Sequence, residues 1–376
     1  MGSTVLFDVL ASQAQQQRSS LTSAEYRGVT TVNFFSDPQE EFSALLSGCG
    51  IYDLGFRARI SITGGDRVRW LNGMVSNNVR DLALGHGVYA FLLNPQGRIL
   101  GDMYVFNAGE SLIVETDRSQ MEKIMATFDH YIIMDDVVLA EIRGKQTAIG
   151  LMGPKSSAVL KSAGIEIPEI KPLQSIIPKC SCDCECVECT VVRGDNPLSE
   201  SYDIWLSPED VCKTWQALIA AGAVPAGAES VEMQRIAAGV PLYGMDIRER
   251  DLPQETEQAR ALNFNKGCYI GQEIVERIRS RGNVHRKFAG FLAEANAKTS
   301  PGAKISADGK EVGETTSVAS VRTPLGERQI ALGYIRREIG VPGREVAIGE
   351  AKASVILMPL DVRELKQVDD AVLHRV

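Results

Sequence analysis

An octet near residue 270 holds the residues of this sequence that could most readily do chemistry. It reads Lys266-Gly267-Cys268-Tyr269-Ile270-Gly271-Gln272-Glu273. Apolar residues recur after it at helical spacing, which predicts a helix that begins near Gly271 with Cys268 just ahead of its N-terminus. The helix dipole and the charge of Lys266 would both favour the thiolate form of Cys268. The alternative is a small buried cysteine in a glycine turn, because free cysteines usually pack as inert apolar groups.

Five of the eight cysteines form a second candidate site, a run in which cysteines alternate with other residues. They are Cys180, Cys182, Cys184, Cys186 and Cys189. In an extended segment the first four would share one face, and a turn near Asp183 would gather them into a cluster of soft ligands for zinc, copper(I) or iron–sulfur. The spacing is not that of paired C-x-x-C zinc ligands, so a variable hairpin with free cysteines is the alternative. A metal carrier is therefore one hypothesis, and we assign no metal ligands.

The composition indicates a multidomain cytoplasmic protein. The 376-residue chain is 44% hydrophobic and 23% charged, a balance that supports packed cores and more than one domain. The formal net charge of -8 gives no overall support for binding nucleic acid or an anionic membrane. No stretch approaches the roughly 20 apolar residues of a spanning helix, and the first residues lack the features of a secretory signal. We expect reduced thiols, a small-molecule partner, and no nucleic-acid or membrane partner.

Turn residues and apolar periods predict an α+β fold in three parts. From residue 59 to 142 the pattern alternates strands and helices around a hairpin, and a similar order returns from Gln146. This repetition indicates duplicated ferredoxin-like α/β units, and the short strands and glycine turns after Arg286 indicate an antiparallel β-barrel. The predicted domains are 1–145, the first unit with an N-terminal extension, 146–285, the second unit ending in the octet, and 286–376, the barrel.

The octet resembles, almost letter for letter, the motif that marks the YgfZ family of folate-dependent iron–sulfur maintenance proteins. A wider resemblance, to the glycine-cleavage T-protein (GcvT) family, runs over nearly the whole chain from about Glu40. Its matching segments stand in the family's order. They are Cys49-Gly50-Ile51-Tyr52-Asp53, Trp70-Leu71-Asn72, Asn77-Asn78-Val79, Leu93-Asn94 through Gly97-Arg98-Ile99 to Asp102, Pro225-Ala226-Gly227, Arg235-Ile236-Ala237-Ala238-Gly239 and Leu242-Tyr243-Gly244.

The resemblance implies a tetrahydrofolate site. In T-proteins the hairpin ends in two adjacent aspartates, one of which assists attack on the aminomethyl carrier, and this chain has Gly101-Asp102 there, so that Asp102 alone is retained. T-proteins also place a pterin-binding glutamate in a Thr-Gly-Glu segment. An ungapped match puts Ser199 at that position, whereas a shift of one residue brings Glu200 to it.

Further folate contacts are expected from other parts of the chain. Arg235 stands where the family's helix offers a guanidinium to folate, and the alternative for it is a surface ion pair. We also predict folate contacts for Tyr243, Lys266 and Tyr269. A basic cluster either holds the glutamate tail of folate or forms a solvated helix face. It comprises Arg277, Arg279, Arg281, Arg286 and Lys287.

These observations predict a tetrahydrofolate-binding protein that acts in the assembly or repair of iron–sulfur proteins, with Cys268 and Asp102 as catalytic residues. Its expected partners are folate and iron–sulfur client or assembly proteins. The alternative is a folate-dependent one-carbon transferase, either the aminomethyltransferase of glycine cleavage or a related demethylase, so enzymatic activity stays open. Gly101 and the missing Thr-Gly-Glu pattern predict little aminomethyltransferase activity. The family fold also implies a central channel that receives the pterin near Arg235 and Tyr243.

Overall fold

The computed structural model describes residues 2–18, 20–142, 144–178, 187–282, 284–294 and 297–365. The chain divides into two compact units, each assembled from three separate segments. The first unit contains the described parts of Met1–Leu92, Gly101–Val231 and Asn265–Ile270. The second contains the described parts of Leu93–Leu100, Glu232–Phe264 and Gly271–Val376. Among the described residues, no helix is long and apolar enough to cross a membrane.

The N-terminal segment forms two helices, a hairpin and a strand. In chain order these are α1 (Val5–Gln16), β1 (Thr22–Tyr26), β2 (Val29–Phe34), α2 (Pro38–Ser47) and β3 (Gly50–Asp53). Both helices begin at residues whose side chains cap the helix N-terminus. The Thr4 hydroxyl accepts a hydrogen bond from the Phe7 N–H at the start of α1, and the Asp37 carboxylate accepts one from the Gln39 N–H at the start of α2.

The next segment forms a five-stranded antiparallel sheet with the strand order β5-β6-β7-β4-β8. Its elements are β4 (Arg57–Thr63), α3 (Arg67–Met74), β5 (Gly87–Leu93), β6 (Ile99–Asn107), β7 (Leu112–Asp117), α4 (Arg118–His130) and β8 (Val138–Glu141). The sequence pattern predicts a helix over 66–82, but α3 ends at Met74. It ends there because the Asn72 side-chain oxygen accepts hydrogen bonds from the Val79 and Arg80 N–H groups and folds the chain into a turn.

A six-stranded sheet follows, with the strand order β10-β11-β12-β9-β3-β13. Its elements and the helices beside it are β9 (Thr147–Met152), α5 (Ser156–Ser162), β10 (Ser175–Ile176), β11 (Cys189–Arg193), β12 (Ser201–Leu206), α6 (Val211–Ala220), β13 (Val224–Pro225) and α7 (Ala228–Ala237). Strand β3 pairs antiparallel with β9 and parallel with β13, so an N-terminal strand completes this sheet. Trp215 and Leu218 of α6 pack with Ile149 and Ile204 in its main core.

The second unit contains α8 (Gln272–Arg281) and a closed six-stranded antiparallel barrel. The barrel strands are β14 (Arg286–Ala293), β15 (Lys304–Ala307), β16 (Lys310–Thr323), β17 (Gly326–Arg336), β18 (Glu345–Ile348) and β19 (Ala351–Ile356). This unit also has short 3-10 helices at Pro253–Thr256, Ala259–Ala261 and Val362–Glu364, and the first unit has one at Pro208–Asp210. Asp308 and Gly309 both have positive φ, the conformation that a two-residue hairpin between β15 and β16 requires. The predicted α+β fold with a C-terminal barrel is confirmed.

Candidate functional site

The Asp102 carboxylate on β6 is held by hydrogen bonds from two other elements. The Tyr89 hydroxyl donates to Asp102 Oδ2 at 2.6 Å, and Gln120 Nε2 donates to Oδ1 at 2.8 Å. Gln120 Oε1 in turn accepts from the Asp102 N–H at 3.0 Å. Because each carboxylate oxygen has its own donor, the group is fixed in one orientation.

The surroundings of Asp102 raise its pKa above that of an exposed aspartate. Burial raises the pKa of Asp102, and the nearby Asp117 carboxylate raises it further. Hydrogen bonds from Tyr89 and Gln120 and the charge of Arg57 act in the opposite direction, but the pKa stays above its usual value. Such a carboxyl can hold or take up a proton closer to neutral pH, which is a property of general acid–base groups.

Two arginines of β4 form a buried ion-pair cluster beside Asp102. Arg57 pairs with Asp117 at 2.7 Å and with Glu115 at 3.3 Å, and Arg59 pairs with Glu115 at 2.6 Å. All four side chains are mostly shielded from solvent, so each charge has a partner, as burial requires. The cluster therefore holds two guanidiniums against two carboxylates, and its formal charges balance.

Asp203 on β12 is a carboxylate that sequence reasoning missed. The residue is half-buried, and its side chain makes no hydrogen bond or ion pair with any other residue that the structure describes. Burial raises the pKa of Asp203 to about 7, the Glu115 carboxylate adds to this rise, and the charges of Arg57 and Arg59 oppose it. Arg57 lowers the pKa of Asp102 as well, so one guanidinium acts on both carboxyls.

Aromatic rings connect the surroundings of the two carboxyls. The ring centroids of Tyr89 and Tyr104 are 5.0 Å apart, those of Tyr104 and Phe106 are 6.4 Å apart, and those of Phe106 and Trp205 are 5.1 Å apart. Trp205 lies two residues after Asp203 on β12 and therefore on the same face of that strand. The Arg59 guanidinium lies 4.3 Å from the Trp205 ring centroid. Tyr89, Phe106 and Trp205 are buried, whereas Tyr104 is half-buried, so Tyr104 is the most accessible of these rings.

A cavity of about 410 Å³ lies at the connection between β11 and β12. Asp195 lines it and accepts a hydrogen bond from the Tyr104 hydroxyl at 3.0 Å, which joins the cavity to the aromatic rings. Glu200 also lines it, but its carboxylate pairs with Arg193 at 2.7 Å and accepts from the Tyr202 hydroxyl at 2.6 Å. The volume falls within the range of small-molecule sites. Folate binding by Glu200 stays a prediction.

Lys266 of the octet anchors the chain beside the end of α3. Its buried ammonium donates to the carbonyl oxygens of Asn72 and Val75, each at 2.6 Å, and of Asn77 at 2.7 Å. It also lies 4.9 Å from the ring centroid of the buried Tyr269. Burial lowers the pKa of Lys266 to about 7. All three ammonium donors have backbone acceptors, so Lys266 and Tyr269 shape the loop, and their predicted folate contacts stay predictions.

The Cys268 side chain is exposed on the loop that Lys266 anchors. The Ile270 N–H donates to the Gly73 carbonyl at 3.1 Å, which fixes the end of the loop nearest α8. Helix α8 has Gly271 as its N-cap residue, with φ of 80°, so a helix begins where the sequence predicts it. The alternative of a buried, inert Cys268 does not fit this exposure. A catalytic role for Cys268 stays a prediction.

In the second unit, the Arg235 guanidinium is buried and its five N–H donors have acceptors. Nε and Nη2 bind the Glu232 carboxylate, Nη1 binds Asp246 Oδ2 and the Val240 carbonyl, each at 2.6 Å, and Nη2 also donates to Ser317 Oγ at 2.8 Å. The environment is a buried network instead of the surface ion pair considered as the alternative. A folate group would have to replace one of these acceptors, and the predicted contact stays a prediction.

Tyr243, the other predicted folate contact of the second unit, is half-buried. Its hydroxyl donates to the Leu100 carbonyl at 2.6 Å. Gly244 follows with φ of 90°, and its N–H donates to the Ile247 carbonyl, which closes the turn that carries the tyrosine. The contact of Tyr243 with folate stays a prediction, as does the central channel.

The predicted basic cluster separates into residues with different surroundings. Arg286 pairs with Asp251 at 2.6 Å and Glu255 at 3.1 Å, so it stabilises the second unit. Arg277 and Arg279 are exposed on α8, and Arg279 stacks 4.3 Å from the Phe264 ring centroid. Lys287 is half-buried, and the side chain of Arg281 lies outside the described residues.

The structure describes one cysteine of the run. Cys180, Cys182, Cys184 and Cys186 lie outside the described residues, whereas Cys189 is buried at the start of β11. Burial, with a contribution from the Asp210 carboxylate, raises the pKa of Cys189 to about 11, which favours the thiol over a metal-binding thiolate. Within the described ranges, no group of three or more His, Cys, Asp or Glu residues is arranged to hold a metal ion.

Comparison with known protein families identifies the chain's relatives. The model of the GCVT N-terminal domain matches residues 15–266, more than half of the chain. This protein belongs to the GCVT family. The predicted GcvT superfamily is thereby confirmed, and the narrower YgfZ assignment stays a prediction.

Individual relatives match over most of their length. A chloroplastic protein of Arabidopsis thaliana is 25% identical over 326 residues, which cover 86% of this chain and 74% of that protein. The aminomethyltransferase of Rippkaea orientalis is 25% identical over 354 residues, which cover 92% of each chain. The solved structure of the glycine cleavage system aminomethyltransferase T from Bartonella henselae matches with a TM-score of 0.82 and 19% identity, over 97% of this chain and 99% of that chain. At this identity the structural likeness shows the fold.

Proposed function

We propose that the first unit binds tetrahydrofolate beside the half-buried side chains of Asp102, Tyr104 and Asp203. The observation that carries this proposal is the half-buried Asp203 carboxyl, which has no hydrogen-bond partner among the described residues. A pterin presents an amine and a ring N–H side by side, and a carboxylate can accept both. With a pKa of about 7, the Asp203 carboxyl can lose its proton near neutral pH and then accept these two hydrogen bonds. The residues present therefore fit a pterin.

One-carbon chemistry is the expected use of this cofactor. Tetrahydrofolate supplies the nitrogen atoms that carry the one-carbon unit. The orientation of Asp102, with a donor on each carboxylate oxygen and a raised pKa, suits a group that holds or accepts the proton of a reacting amine. The names of the bacterial relatives, which are aminomethyltransferases, support the same class of reaction.

We infer that this folate protein serves the assembly or repair of iron–sulfur proteins and not glycine cleavage. The octet supports this inference, because its cysteine is exposed while the neighbouring lysine holds the loop in place. Gly101, which replaces the first aspartate of the T-protein pair, also supports a departure from aminomethyl transfer. The expected partners are iron–sulfur client or assembly proteins.

A one-carbon transferase is the second candidate function, either an aminomethyltransferase or a demethylase. It is favoured by one specific observation, the retained and oriented Asp102 carboxylate. The two candidates share the folate site and differ in the group that reacts. The iron–sulfur factor and an aminomethyltransferase therefore give opposite results in an assay of aminomethyl transfer.

Calorimetry with tetrahydrofolate tests the shared site. Asp203→Asn should weaken binding by roughly tenfold or more, because an amide can accept only one of the two hydrogen bonds and carries no charge. Glu209→Gln, which changes an exposed acid beyond the end of β12, is the matched control and should bind as the unaltered protein does. Equal affinities for Asp203→Asn and the unaltered protein would overturn the proposed site.

A second assay separates the two functions. The purified protein is mixed with tetrahydrofolate and a lipoyl carrier protein bearing the aminomethyl group, and methylenetetrahydrofolate is measured. We expect little or no product. Robust turnover that is lost in Asp102→Asn would establish the transferase and refute the inference that the protein departs from glycine cleavage.

A further inference from the structure

Two residues at the start of α4 that could cap the helix bind residues of other elements instead. Asp117 is the N-cap residue, but its carboxylate makes no capping hydrogen bond and instead pairs with Arg57 at 2.7 Å. Gln120 stands three residues later, where a glutamine often reaches back to the N-cap N–H. Its amide instead binds Asp102 on β6. Both side chains therefore bind residues of β4 and β6 and do not cap α4.

Gln120 contacts Asp102 at two points. Its Nε2 donates to Asp102 Oδ1 at 2.8 Å, and its Oε1 accepts from the Asp102 N–H at 3.0 Å. The side chain is only 3% exposed, so water competes little for these bonds. A single amide therefore fixes both the backbone and the carboxylate of the same residue, which orients Asp102 more firmly than one hydrogen bond could.

Gly101 leaves room for this amide. A Cβ atom at residue 101 would lie 3.1 Å from Gln120 Oε1 and 3.3 Å from two side-chain carbons of Ile124, tighter than ordinary van der Waals contact. Gly101 is not one of the glycines with positive φ, so its backbone conformation does not require a glycine. Space for the Gln120 amide, together with the Ile124 side chain, is therefore a structural reason for a glycine at this position.

We propose that Gln120 is the positioning residue for Asp102, and that Gly101 and Gln120 act as a pair in which the glycine admits the amide. The role of the pair in one-carbon chemistry rests on the proposed function. Its effect on the Asp102 carboxyl does not, because that effect is present without a ligand.

The charged and titratable groups around Asp102 determine the sign of the effect. Tyr89 faces it from β5, Arg57 from β4 and Asp117 from the end of β7. Gln120 donates to the charged form of Asp102 and therefore lowers its pKa, against the effects of burial and Asp117. Loss of the amide donor must raise the pKa of Asp102.

The test is a carboxyl carbon NMR titration of the full chain labelled with ¹³C at its aspartates, with the Asp102 signal assigned by its loss in Asp102→Asn. Gln120→Leu keeps the approximate side-chain volume and removes both bonds, so the Asp102 midpoint should move to higher pH. Thr127→Val is the matched control, since it removes a hydrogen bond of the same helix, from Thr127 Oγ1 to the Lys123 carbonyl at 2.8 Å. Its Asp102 midpoint should equal that of the unaltered protein.

Gly101→Ala provides a second route if Gln120→Leu does not fold. The added methyl should displace the amide and also raise the Asp102 midpoint. A folded Gln120→Leu or Gly101→Ala protein with an unchanged midpoint would overturn the proposal. If the unaltered protein fails to bind tetrahydrofolate in calorimetry while the midpoints shift as expected, the proposed function fails and the positioning role of Gln120 stands.

Discussion

The side-chain nitrogen of Lys266 lies 2.6 Å from the carbonyl oxygen of Asn72, close to the C-terminal end of α3. Carbonyls at this end of a helix lack intrahelical partners, and a buried ammonium with three donors can satisfy several of them. The octet is therefore attached to the first unit through its lysine. This attachment leaves Cys268, two residues further on, at the surface.

Lys266→Met should lower the free energy of unfolding by roughly 3 kcal/mol, because it leaves buried carbonyl groups without donors. Urea denaturation followed by circular dichroism measures the change. Lys161→Met, an exposed lysine at the end of α5, is the control and should have little effect. A Lys266→Met protein as stable as the control would contradict the buried position of the ammonium.

Asp203→Asn should make the protein more stable at pH 8 but not at pH 4. The pKa of Asp203 is about 7 in the folded chain and near 4 in the unfolded chain, so the folded state holds an extra proton between these values. The contribution of Asp203 to stability is therefore lost as the pH rises through this window. We expect Asp203→Asn to gain roughly 2 kcal/mol at pH 8. Parallel stability curves for the two proteins between pH 4 and 8 would count against the raised pKa.

Glu41→Ala should destabilise the first unit by roughly 3 kcal/mol or more. The buried Glu41 carboxylate accepts hydrogen bonds from the N–H groups of Phe35 and Ser36, each at 2.6 Å, and of Gly227 at 2.8 Å. Alanine would leave these donors without an acceptor. Thermal unfolding compared with Glu40→Ala, an exposed neighbour in α2, measures the effect. Similar melting temperatures for the two variants would show that the donors find other partners.

Cys268→Ser should abolish iron–sulfur enzyme activity in cells while folding and tetrahydrofolate affinity are preserved. The thiol is exposed, so its replacement changes reactivity without disturbing a core. Complementation of a strain that lacks the protein measures the first effect, and calorimetry measures the second. Cys212→Ser, a half-buried cysteine of α6, is the control and should restore activity. Full rescue by Cys268→Ser would mean that the octet is a structural turn.

Local patterns predicted most of the elements of the fold. The alternation of apolar residues located β4 to β7, and the sequence after Ser207 located the start of α6, where the Ser207 hydroxyl accepts from the Asp210 N–H at 3.2 Å. The pattern could not reveal that α3 stops at Met74, because the turn depends on an Asn72 side chain that a helix also tolerates. The pattern could not reveal that β3 belongs to the second sheet either, because the pairing of strands far apart in the sequence leaves no sign in the local sequence pattern.

The site was predictable where a motif marked it and not where charge and burial determine it. The resemblance to the T-protein hairpin predicted Asp102, but neither the resemblance nor a local pattern predicted Gln120 or Asp203. The signal for Asp203 was an acid inside the otherwise apolar strand SYDIWL, which is rare unless a partner or a ligand meets it. The surroundings of Lys266 could not be read from the octet, because its three acceptors lie about 190 residues away along the chain.

Strand β3 has a consequence for how the protein is synthesised. Its partner β9 begins at Thr147, so residues 50–53 leave the ribosome long before the strand that they must pair with. Until then the apolar Ile51, which is fully buried in the finished sheet, has no neighbour on that side. Such a long-range pairing forms late and slowly, and until it forms the nascent chain exposes apolar residues that promote aggregation. The N-terminal half should therefore depend on chaperones during translation.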